Sequence, residues 1–253
     1  MYAPERQQAI VERARADGRV DVAELATSLD VTTETIRRDL GVLERHRALR
    51  RVHGGAIPID KPEFAAGQQL RDTETTAQQT RIAKAALEHV PADGTILLDA
   101  GSTTARLAEL LPDESRLTIV TNAPGLVSTL ATLPRTTVLL LGGRLHGPTM
   151  STVDEWTIRE LADTHVGVAF LSTDGVSPER GLTTADTREA AVKRAMLQAA
   201  ASTVLLAEHT TVGNDQLARF GDLEQLDSLI TDSEMNDATA TRITAAGPAV
   251  IRT

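Results

Sequence analysis

Hydrophobic residues near the amino terminus recur at the spacing of three short amphipathic helices. Asp17-Gly18 ends the first helix, and Asp21 is suited to cap the second. A tight turn at Asp30-Val31 leads to the third helix, which Thr32 caps and which runs from Thr33 to about His46. The inward-facing residues of the three helices are, in order, Ile10, Val11 and Ala14; Val22, Leu25, Ala26 and Leu29; and Ile36, Leu40 and Leu43.

A short strand and a turn are predicted to follow these helices. Leu49–His53 has the composition of a strand, and Gly54-Gly55 permits a sharp turn. Two helices joined by a tight turn and followed by a strand indicate a winged helix-turn-helix domain over residues 1–57. Residues 58–70 have little periodicity and include Pro58 and Pro62, so we predict a linker there.

From residue 71 to residue 253, apolar strands alternate with helices, after a first helix at about Thr75–His89. The predicted strands are Thr95–Asp99, Leu117–Thr121, Val138–Leu141, Val166–Leu171, Thr203–Ala207 and Ser228–Thr231. The predicted helices are Thr103–Leu111, Pro124–Leu133, Val153–Asp163, Thr187–Ala201 and Asn236–Ala246. Continuous apolar strands that alternate with helices are typical of a parallel sheet covered on both faces, so we expect a Rossmann-like α/β domain.

The charge of the chain is unevenly distributed. Residues 1–58 contain ten arginines, no lysine and nine acidic residues, a net charge of +1, whereas the whole chain carries −9 and the remainder therefore −10. Six arginines against three acidic residues give residues 32–55 a net charge of +3. A local basic patch is what contact with DNA phosphates requires, and an acidic remainder confines DNA to that patch.

The composition also excludes several classes of protein. The chain has no cysteine, so it holds neither a disulfide nor a thiolate metal site. No apolar run approaches the roughly 20 residues needed to span a bilayer, and the amino terminus does not have the pattern of a signal peptide. Acidic and histidine residues show no metal-ligand spacing. We expect a cytoplasmic protein with no membrane partner, cofactor or metal.

The third helix is the candidate for reading DNA bases. With its apolar face turned inward, its amino-terminal end presents threonines and arginines to solvent. Arginine can pair with guanine through two hydrogen bonds, and threonine hydroxyls can bind phosphate. The strand and turn after this helix supply further cations for the DNA backbone. The predicted DNA-binding residues are Thr32, Thr33, Thr35, Arg37, Arg38, Arg50, Arg51 and His53.

Polar and glycine-containing loops follow the predicted strands of the second domain. The first, residues 99–104 (DAGSTT), combines a glycine, three hydroxyls and the start of a helix, which suits a phosphate or another anion. Further loops begin at Thr121, Leu141, Thr173 and Glu208. In a parallel sheet such loops gather at one edge, so we expect them to form a ligand pocket.

The order of motifs along the whole chain resembles the DeoR family of bacterial regulators. The amino-terminal resemblance is carried by RQQAI at 6–10, VAELA at 22–26, VTTETIRRDL at 31–40 and RVHGGA at 51–56, with Arg37 and Arg38 as the matched DNA contacts. The later loops are similar to the family's sensor domain, whose fold is similar to that of ribose-5-phosphate isomerase. The resemblance implies a repressor of a carbohydrate-metabolism operon that a sugar phosphate or related metabolite releases from operator DNA.

From the loops and the resemblance together, we expect the effector to contact twelve residues. These are Asp99, Gly101, Ser102, Thr103, Thr104, Asn122, Gly142, Gly143, Asp174, Gly175, Glu208 and Thr211. Three positions depart from the family pattern. Thr211 stands where a lysine is usual, and Ser172 and Asp154 stand where glycine is usual. Without the lysine, another cation or the loop amides must bind a phosphate, or else the effector is less anionic.

Two other functions remain open from the sequence. One is a sugar-phosphate isomerase that uses the carboxylates of Asp99, Asp174 or Glu208, although none of the three lysines of the chain lies in a predicted pocket loop. The other is an architectural DNA binder with no effector. We favour the non-enzymatic regulator, acting as a homodimer or tetramer whose paired heads bind symmetric half-sites.

Overall fold

The structure is a computed structural model that describes residues 6–7, 9–11, 13–14, 18–45, 49–52, 54–58 and 65–253 of the chain. For residues 44, 45, 50, 58 and 65–75 it describes the backbone alone. The chain divides into two compact units, Met1–Gln68 and Gln69–Thr253.

The helices of the amino-terminal unit begin and turn where the sequence predicts. The described residues within 6–14 are helical, and they are followed by helix α1 (Val22–Ser28) and helix α2 (Thr33–Arg45). The Asp21 carboxylate caps α1 by accepting hydrogen bonds from two amides of its first turn. Between α1 and α2, Asp30 has a φ of 51°, the left-handed conformation that a tight turn needs.

Three short strands complete this unit as an antiparallel sheet in the order β1-β3-β2. They are β1 (Val20–Asp21), β2 (Leu49–Val52) and β3 (Gly55–Pro58). Gly54 has a φ of 79°, and a Cβ atom on Gly55 would lie 2.0 Å from the carbonyl oxygen of Val20. The two glycines are therefore required by the turn and by the close approach of β1 and β3. The predicted winged helix-turn-helix is confirmed.

The core of this unit contains most of the residues that helical periodicity placed inside, together with a buried ion pair, whereas Val22 and Leu29 are only partly buried and pack against it. Asp39 of α2 is 4% exposed and accepts hydrogen bonds from Arg6 Nε (2.6 Å) and Gln7 Nε2 (2.9 Å). Asp39 thus joins α2 to the first helical segment and does not face solvent. The buried apolar residues are Ile10, Val11, Ala14, Val20, Leu25, Ala26, Ile36, Leu40, Leu43, Leu49 and Ala56.

The helix that leads into the second unit is longer than predicted. Helix α3 covers Ala65–Ala86, and a 3-10 turn at Leu87–His89 follows it. The predicted linker, residues 58–70, is therefore helical from residue 65 onward, and residues 59–64 lie outside the described part of the chain. The first ten residues of α3 are mostly good helix formers without an apolar stripe, so periodicity alone could not reveal them.

The second unit is built on a seven-stranded sheet in the order β15-β14-β12-β9-β4-β5-β6. All six pairings between neighbouring strands are parallel, which confirms the predicted parallel sheet. The strands are β4 (Asp93–Leu98), β5 (Arg116–Thr121), β6 (Thr137–Leu140), β9 (Val166–Ser172), β12 (Ala200–Leu206), β14 (Ser228–Thr231) and β15 (Ala249–Arg252). Strand β15 was not predicted.

Helices cover both faces of this sheet. Along β4, Leu97 packs into one apolar cluster, whereas Ile96 and Leu98 pack into the other, as alternation along a strand requires. The helices are α4 (Ser102–Leu110), α5 (Val127–Leu130), α6 (Glu155–Ala162), α7 (Thr187–Ala199) and α8 (Asp237–Ala245). The helix predicted at Pro124–Leu133 is shorter, because Pro124–Leu126 forms a 3-10 turn before α5.

Short antiparallel strands, which the sequence analysis did not predict, lie between the parallel ones. β7 (Arg144–His146) pairs with β8 (Ser151–Val153), so the helix predicted from Val153 begins only at Glu155. A three-stranded sheet contains β10 (Gly175–Ser177), β11 (Gly181–Thr184) and β13 (Ala218–Gly221). These segments are too short for an alternating pattern to distinguish them from loops.

Candidate functional site

A cavity of about 580 Å³ opens where several parallel strands end. Its walls come from the loops after β4, β5, β9 and β12, from the 148–151 segment, and from helix α7. Loops at the carboxyl ends of parallel strands converge at one edge of the sheet, which explains why residues distant in sequence meet here. Eight of the twelve predicted effector residues line the cavity: Asp99, Gly101, Ser102, Thr103, Asn122, Asp174, Glu208 and Thr211.

Asp99 and Lys193 form a buried ion pair in this cavity. Lys193 Nζ donates to Asp99 Oδ2. The Lys193 side chain is 8% exposed, and the Asp99 side chain is 1% exposed. Two further donors, the amide and the hydroxyl of Ser172, lie 3.1 Å and 2.9 Å from the same carboxylate oxygen. Ser172 stands at a position where the resemblance implied a glycine, and its hydroxyl supports this pair.

Lys193 is a cavity residue that the sequence analysis missed. Lys193 does not lie in a strand-end loop but on α7, on the helical face that also carries Glu189 and Met196. Charged residues among buried ones on a helical face were the available indication. Besides Asp99, Lys193 Nζ donates to the carbonyl and hydroxyl oxygens of Ser172 at 2.9 Å and 3.1 Å. An ammonium has three donors, so protein acceptors satisfy all of them.

The amino-terminal end of α4 faces the same cavity. Gly101, Ser102 and Thr103 line the cavity, and no side chain caps the helix at Gly101. The first amides of a helix have no partner within it and carry a partial positive charge. Asn122 supports the loop before α4, since its side-chain oxygen accepts a hydrogen bond from Ala100 N at 3.0 Å. This end of the cavity can bind an anion through backbone amides and hydroxyls.

Three more carboxylates line the cavity, and none is paired with a lysine or arginine among the described residues. Asp174 accepts hydrogen bonds from Thr184 Oγ1 (2.6 Å) and Ala185 N (3.1 Å). Glu189 accepts from the hydroxyls of Thr149 and Ser151, and Glu208 accepts from the Gln79 side chain. Carboxylates that keep free lone pairs are suited to accept hydrogen bonds from ligand hydroxyls.

Asp186 fixes the start of the helix that carries Glu189 and Lys193. Its carboxylate caps α7 by accepting hydrogen bonds from the amides of Arg188 (2.8 Å) and Glu189 (3.3 Å). The side-chain hydrogen bond from the Arg188 guanidinium holds the pKa of the Asp186 carboxyl well below its usual range. The partnership raises the pKa of Arg188 in turn.

Four predicted effector residues do not line the cavity: Thr104, Gly142, Gly143 and Gly175. Thr104 is fully buried, and its hydroxyl donates to the carbonyl oxygens of Asp99 and Gly101. A Cβ atom on Gly143 would lie 2.2 Å from Thr157 Oγ1, and one on Gly175 would lie 1.9 Å from the Asn214 carbonyl oxygen. The structure thus gives Thr104 and these two glycines roles in packing.

Gly142 and Asp154 have separate structural roles. Gly142 N donates to Glu160 Oε2 at 2.7 Å, which holds the loop after β6 against α6. Asp154, the second departure from family glycine, has a φ of 81°, a conformation that favours glycine. Its carboxylate pairs with Arg144 Nε at 2.6 Å, an interaction that glycine cannot make.

His209 lies between two carboxylates next to the cavity. Its Nδ1 atom is 2.8 Å from Asp232 Oδ1, and its Nε2 atom is 3.4 Å from Glu234 Oε2. Asp232 is fully buried and also accepts a hydrogen bond from the His209 amide at 2.8 Å. His209 Nδ1 is buried without a hydrogen-bond partner, and one ligand atom from each of His209, Asp232 and Glu234 lies within 4.8 Å of the other two, a spacing at which the three side chains could hold a metal ion.

The predicted DNA-reading residues of α2 are on its solvent side. Thr33, Arg37 and Arg38 are exposed, while Thr35 is partly buried. Arg37 Nη1 lies 3.6 Å from Glu34 Oε2, and both side chains are more than half exposed, so this ion pair is weak. Thr32 caps the helix through Thr35 N (3.2 Å). These side chains form one exposed face at the amino-terminal end of α2.

The wing residues are only partly described. Arg51 is exposed on β2, where it is paired in register with Ala56 of β3. Arg50 lies on the same strand, described by its backbone alone, and His53 lies outside the described residues. The predicted DNA contacts of Arg50, Arg51 and His53 stay predictions.

Comparisons with known proteins agree with this two-part architecture. The model of the DeoR-like helix-turn-helix domain matches residues 6–61, and that of the DeoR C terminal sensor domain matches residues 74–233. The chain belongs to the DeoR family. With a DeoR-like helix-turn-helix domain and a DeoR sensor domain, the chain is a DNA-binding transcriptional regulator of this family.

An HTH-type transcriptional regulator of Bacillus subtilis (YulB) is 33% identical over 94% of this chain and 92% of its own length. The glycerol-3-phosphate regulon repressor of Escherichia coli is 27% identical over 92% of both chains. Among solved structures, ribose 5 phosphate isomerase A from Neisseria gonorrhoeae aligns with a TM-score of 0.38 and 19% identity, over 57% of this chain and 55% of that one. Within the described residues, no helix has both the length and the apolar character needed to cross a membrane.

Proposed function

We propose that this protein represses a carbohydrate-metabolism operon and that a sugar phosphate or a related phosphorylated polyol releases it from operator DNA. The observation that carries the effector assignment is the mixed lining of the cavity. The lining includes the uncapped amino terminus of α4 and the carboxylates of Asp174, Glu189 and Glu208. Helix amides bind phosphate, while carboxylates accept hydrogen bonds from sugar hydroxyls.

The absence of lysine at position 211 does not remove the phosphate site in this proposal. Thr211 lines the cavity, and its hydroxyl donates to the Glu208 carbonyl oxygen at 2.8 Å. Lys193 balances the charge of Asp99, so amides and hydroxyls at the start of α4 are left to bind the phosphate. The sensor-domain match and the name of the glycerol-3-phosphate regulon repressor support an effector of this class.

The DNA-binding part of the proposal rests on the exposed face of α2. Thr33, Arg37 and Arg38 contact base edges, and Arg51 on the wing contacts the DNA backbone. We propose residues 1–57 as the DNA-binding domain and residues 71–253 as the sensor. The protein acts in the cytoplasm as a homodimer or tetramer, whose symmetry matches paired operator half-sites.

A ligand screen on the full-length protein tests this function. Operator DNA is first selected by the protein from a random pool, and its affinity is then measured with glycerol 3-phosphate, ribose 5-phosphate, inorganic phosphate, glycerol and ribose. We expect at least one sugar or polyol phosphate to weaken operator binding and to raise the melting temperature, and the unphosphorylated partners to do neither. Release by ribose or glycerol alone would show that the effector is not phosphorylated.

Thr211→Lys tests how the cavity binds phosphate. An added ammonium at a residue that lines the cavity is expected to tighten binding of the phosphorylated ligand by roughly tenfold, the effect of one charge-assisted hydrogen bond. The binding is measured by calorimetry. The control is Thr210→Lys, since Thr210 is exposed and does not line the cavity. Equal effects of the two lysines would place the phosphate away from residue 211.

An isomerase activity is the second candidate, because Lys193 and Asp99 lie together in the cavity. The three donors of Lys193 all contact protein acceptors, so none is left to stabilise an enediolate oxygen. Turnover of ribose 5-phosphate by the purified protein, abolished by Asp174→Asn or Glu208→Gln, would establish the enzyme instead.

A further inference from the structure

Two neighbouring parallel strands bring a histidine and two carboxylates together beside the cavity. Strands β12 and β14 pair in register, with Leu206 opposite Ile230. The 3-10 turn His209–Thr211 follows the end of β12, while Asp232 directly follows β14 and Glu234 comes shortly after it. His209 and Asp232 are 23 positions apart along the chain, so no spacing of ligands in the sequence indicates that they meet.

Asp232 is a fully buried carboxylate without a strong cationic partner. Its Oδ2 atom accepts a hydrogen bond from the His209 amide at 2.8 Å, and its Oδ1 atom accepts one from the Glu234 amide at 3.1 Å. Among the described residues, no lysine or arginine forms an ion pair with it. A carboxylate oxygen has two lone pairs, so Oδ1 can still bind a cation, and a cation there offsets the cost of desolvating the charge.

The imidazole of His209 approaches this carboxylate without a hydrogen bond to it. Its Nδ1 atom lies 2.8 Å from Asp232 Oδ1, yet Nδ1 is buried and has no hydrogen-bond partner. Two ligand atoms that each lie roughly 2.1 Å from a zinc ion are roughly 3 Å apart. A close nitrogen–oxygen approach that is not a hydrogen bond is therefore the arrangement expected of two ligands of one ion.

Glu234 supplies a third ligand, which a buried side chain holds in place. Its Oε1 atom accepts a hydrogen bond from Nε2 of the buried Gln78 at 2.9 Å, and its Oε2 atom lies 3.4 Å from His209 Nε2. Hydrogen bonds of this kind orient metal-binding carboxylates. The side chains of His209 and Glu234 are partly exposed, so water can reach the cluster from this side and complete the coordination.

We propose that His209, Asp232 and Glu234 bind one divalent transition-metal ion, such as Zn²⁺, through one imidazole nitrogen and two carboxylate oxygens. A mixed nitrogen and oxygen set suits such ions, whereas Mg²⁺ and Ca²⁺ prefer oxygen ligands alone. Two carboxylates and a neutral imidazole balance the charge of the ion. The ion fixes the turn next to Glu208 and Thr211 in the cavity wall, and the site does not depend on the proposed effector.

Metal binding is tested on the untagged, full-length protein after treatment with a chelator. Zn²⁺, Mg²⁺ and Ca²⁺ are titrated separately by calorimetry, and the melting temperature is measured with each ion. We expect one Zn²⁺ to bind per chain and to raise the melting temperature, because an ion that binds only the folded state stabilises it. Mg²⁺ and Ca²⁺ are expected to do neither. The chain has no cysteine, so thiolates cannot account for bound zinc.

Two substitutions identify the ligands. His209→Gln and Glu234→Gln are each expected to weaken Zn²⁺ binding by at least roughly tenfold, since even residues behind the ligands have effects of this size. Glu234→Gln retains an oxygen that can accept from Gln78, and both side chains are partly exposed, so the fold is expected to persist. The control is His165→Gln, because His165 is an exposed histidine outside the cluster. It is expected to bind Zn²⁺ as the wild type does.

Three results would overturn the inference. If Zn²⁺ gives neither heat of binding nor a rise in melting temperature, the cluster is an imidazolium held between two carboxylates. If His209→Gln and Glu234→Gln bind Zn²⁺ as tightly as the wild type, the ion binds elsewhere on the protein. If Mg²⁺ binds as tightly as Zn²⁺, the cluster does not select a transition-metal ion.

Discussion

At the scale of single residues, the balance of charge in the cavity depends on Lys193. Asp99 is almost fully buried, and Lys193 is its only lysine or arginine partner among the described residues. A buried carboxylate that loses its cation keeps the cost of desolvation without the attraction that offsets it. The pair is therefore needed for the folded state as well as for the shape of the cavity.

Replacing Lys193 with methionine is expected to lower the free energy of unfolding by about 3 kcal/mol, because it leaves the Asp99 carboxylate buried without a cation. Denaturant unfolding followed by circular dichroism measures the change. Lys84→Met is the control, since Lys84 is exposed on α3. The explanation fails if adding Asp99→Asn to Lys193→Met recovers none of the loss.

At the scale of elements, the cap of α7 links stability to pH. The pKa of Asp186 is lowered mainly by its hydrogen bond with the Arg188 side chain, from an ordinary value of 3.8. A carboxyl whose pKa is lower in the folded state stabilises the protein above the unfolded-state pKa. That contribution is lost as the pH falls toward the folded-state pKa.

Acidification from pH 5 to pH 3 is therefore expected to lower the melting temperature of the wild type more than that of Asp186→Asn. Asparagine still caps the helix but carries no charge to lose. Differential scanning calorimetry of both proteins at the two pH values gives the comparison. Parallel curves for the two proteins would mean that Asp186 does not contribute to acid sensitivity.

Substitutions in the recognition helix α2 and in the wing are expected to change DNA binding in different ways. Arg37→Ala should relax sequence preference, because Arg37 lies on the exposed amino-terminal face of α2, where base edges are met. Arg51→Ala should weaken binding to all sequences and lower the salt slope of binding by about one. Binding to selected operator and to random DNA is titrated at several salt concentrations. Equal losses on both DNAs from Arg37→Ala would remove that residue from base recognition.

At the scale of the whole molecule, the acidic charge of residues 59–253 opposes DNA except at the basic face of the amino-terminal unit. That unit alone has a net charge close to zero, and in the proposed homodimer a symmetric pair of heads doubles its contacts with DNA. Control of such a protein by an effector is a difference in affinity between two states.

Linkage sets a quantitative condition on this control. If the effector weakens operator binding by some factor, operator DNA must weaken effector binding by the same factor. Calorimetric titration of the effector into free protein and into the protein–operator complex gives the second factor. Unequal factors at equilibrium would rule out simple two-state coupling.

The predictions from sequence succeeded where local pattern and local chemistry decide the structure. The capping residue Asp21, the turn at Asp30 and the glycine pair at 54–55 follow from the conformations that those residues favour. The parallel strands follow from their continuous apolar composition. The start of α3 could not be predicted, because residues 65–74 have helix-forming composition but no apolar stripe.

The sequence by itself determined the architecture and the strand-end loops that bring Asp99, Ser102, Asp174 and Glu208 to one edge of the sheet. Only the tertiary structure decided which groups meet there. Lys193 lies 94 residues from Asp99 along the chain, and Gln79 lies 129 residues from Glu208. Pairings over such separations depend on how helices pack on the sheet and on the length of each side chain, which no local pattern records. Packing also places three glycines outside the cavity, although they lie in loops with the composition of a pocket: Gly142, Gly143 and Gly175.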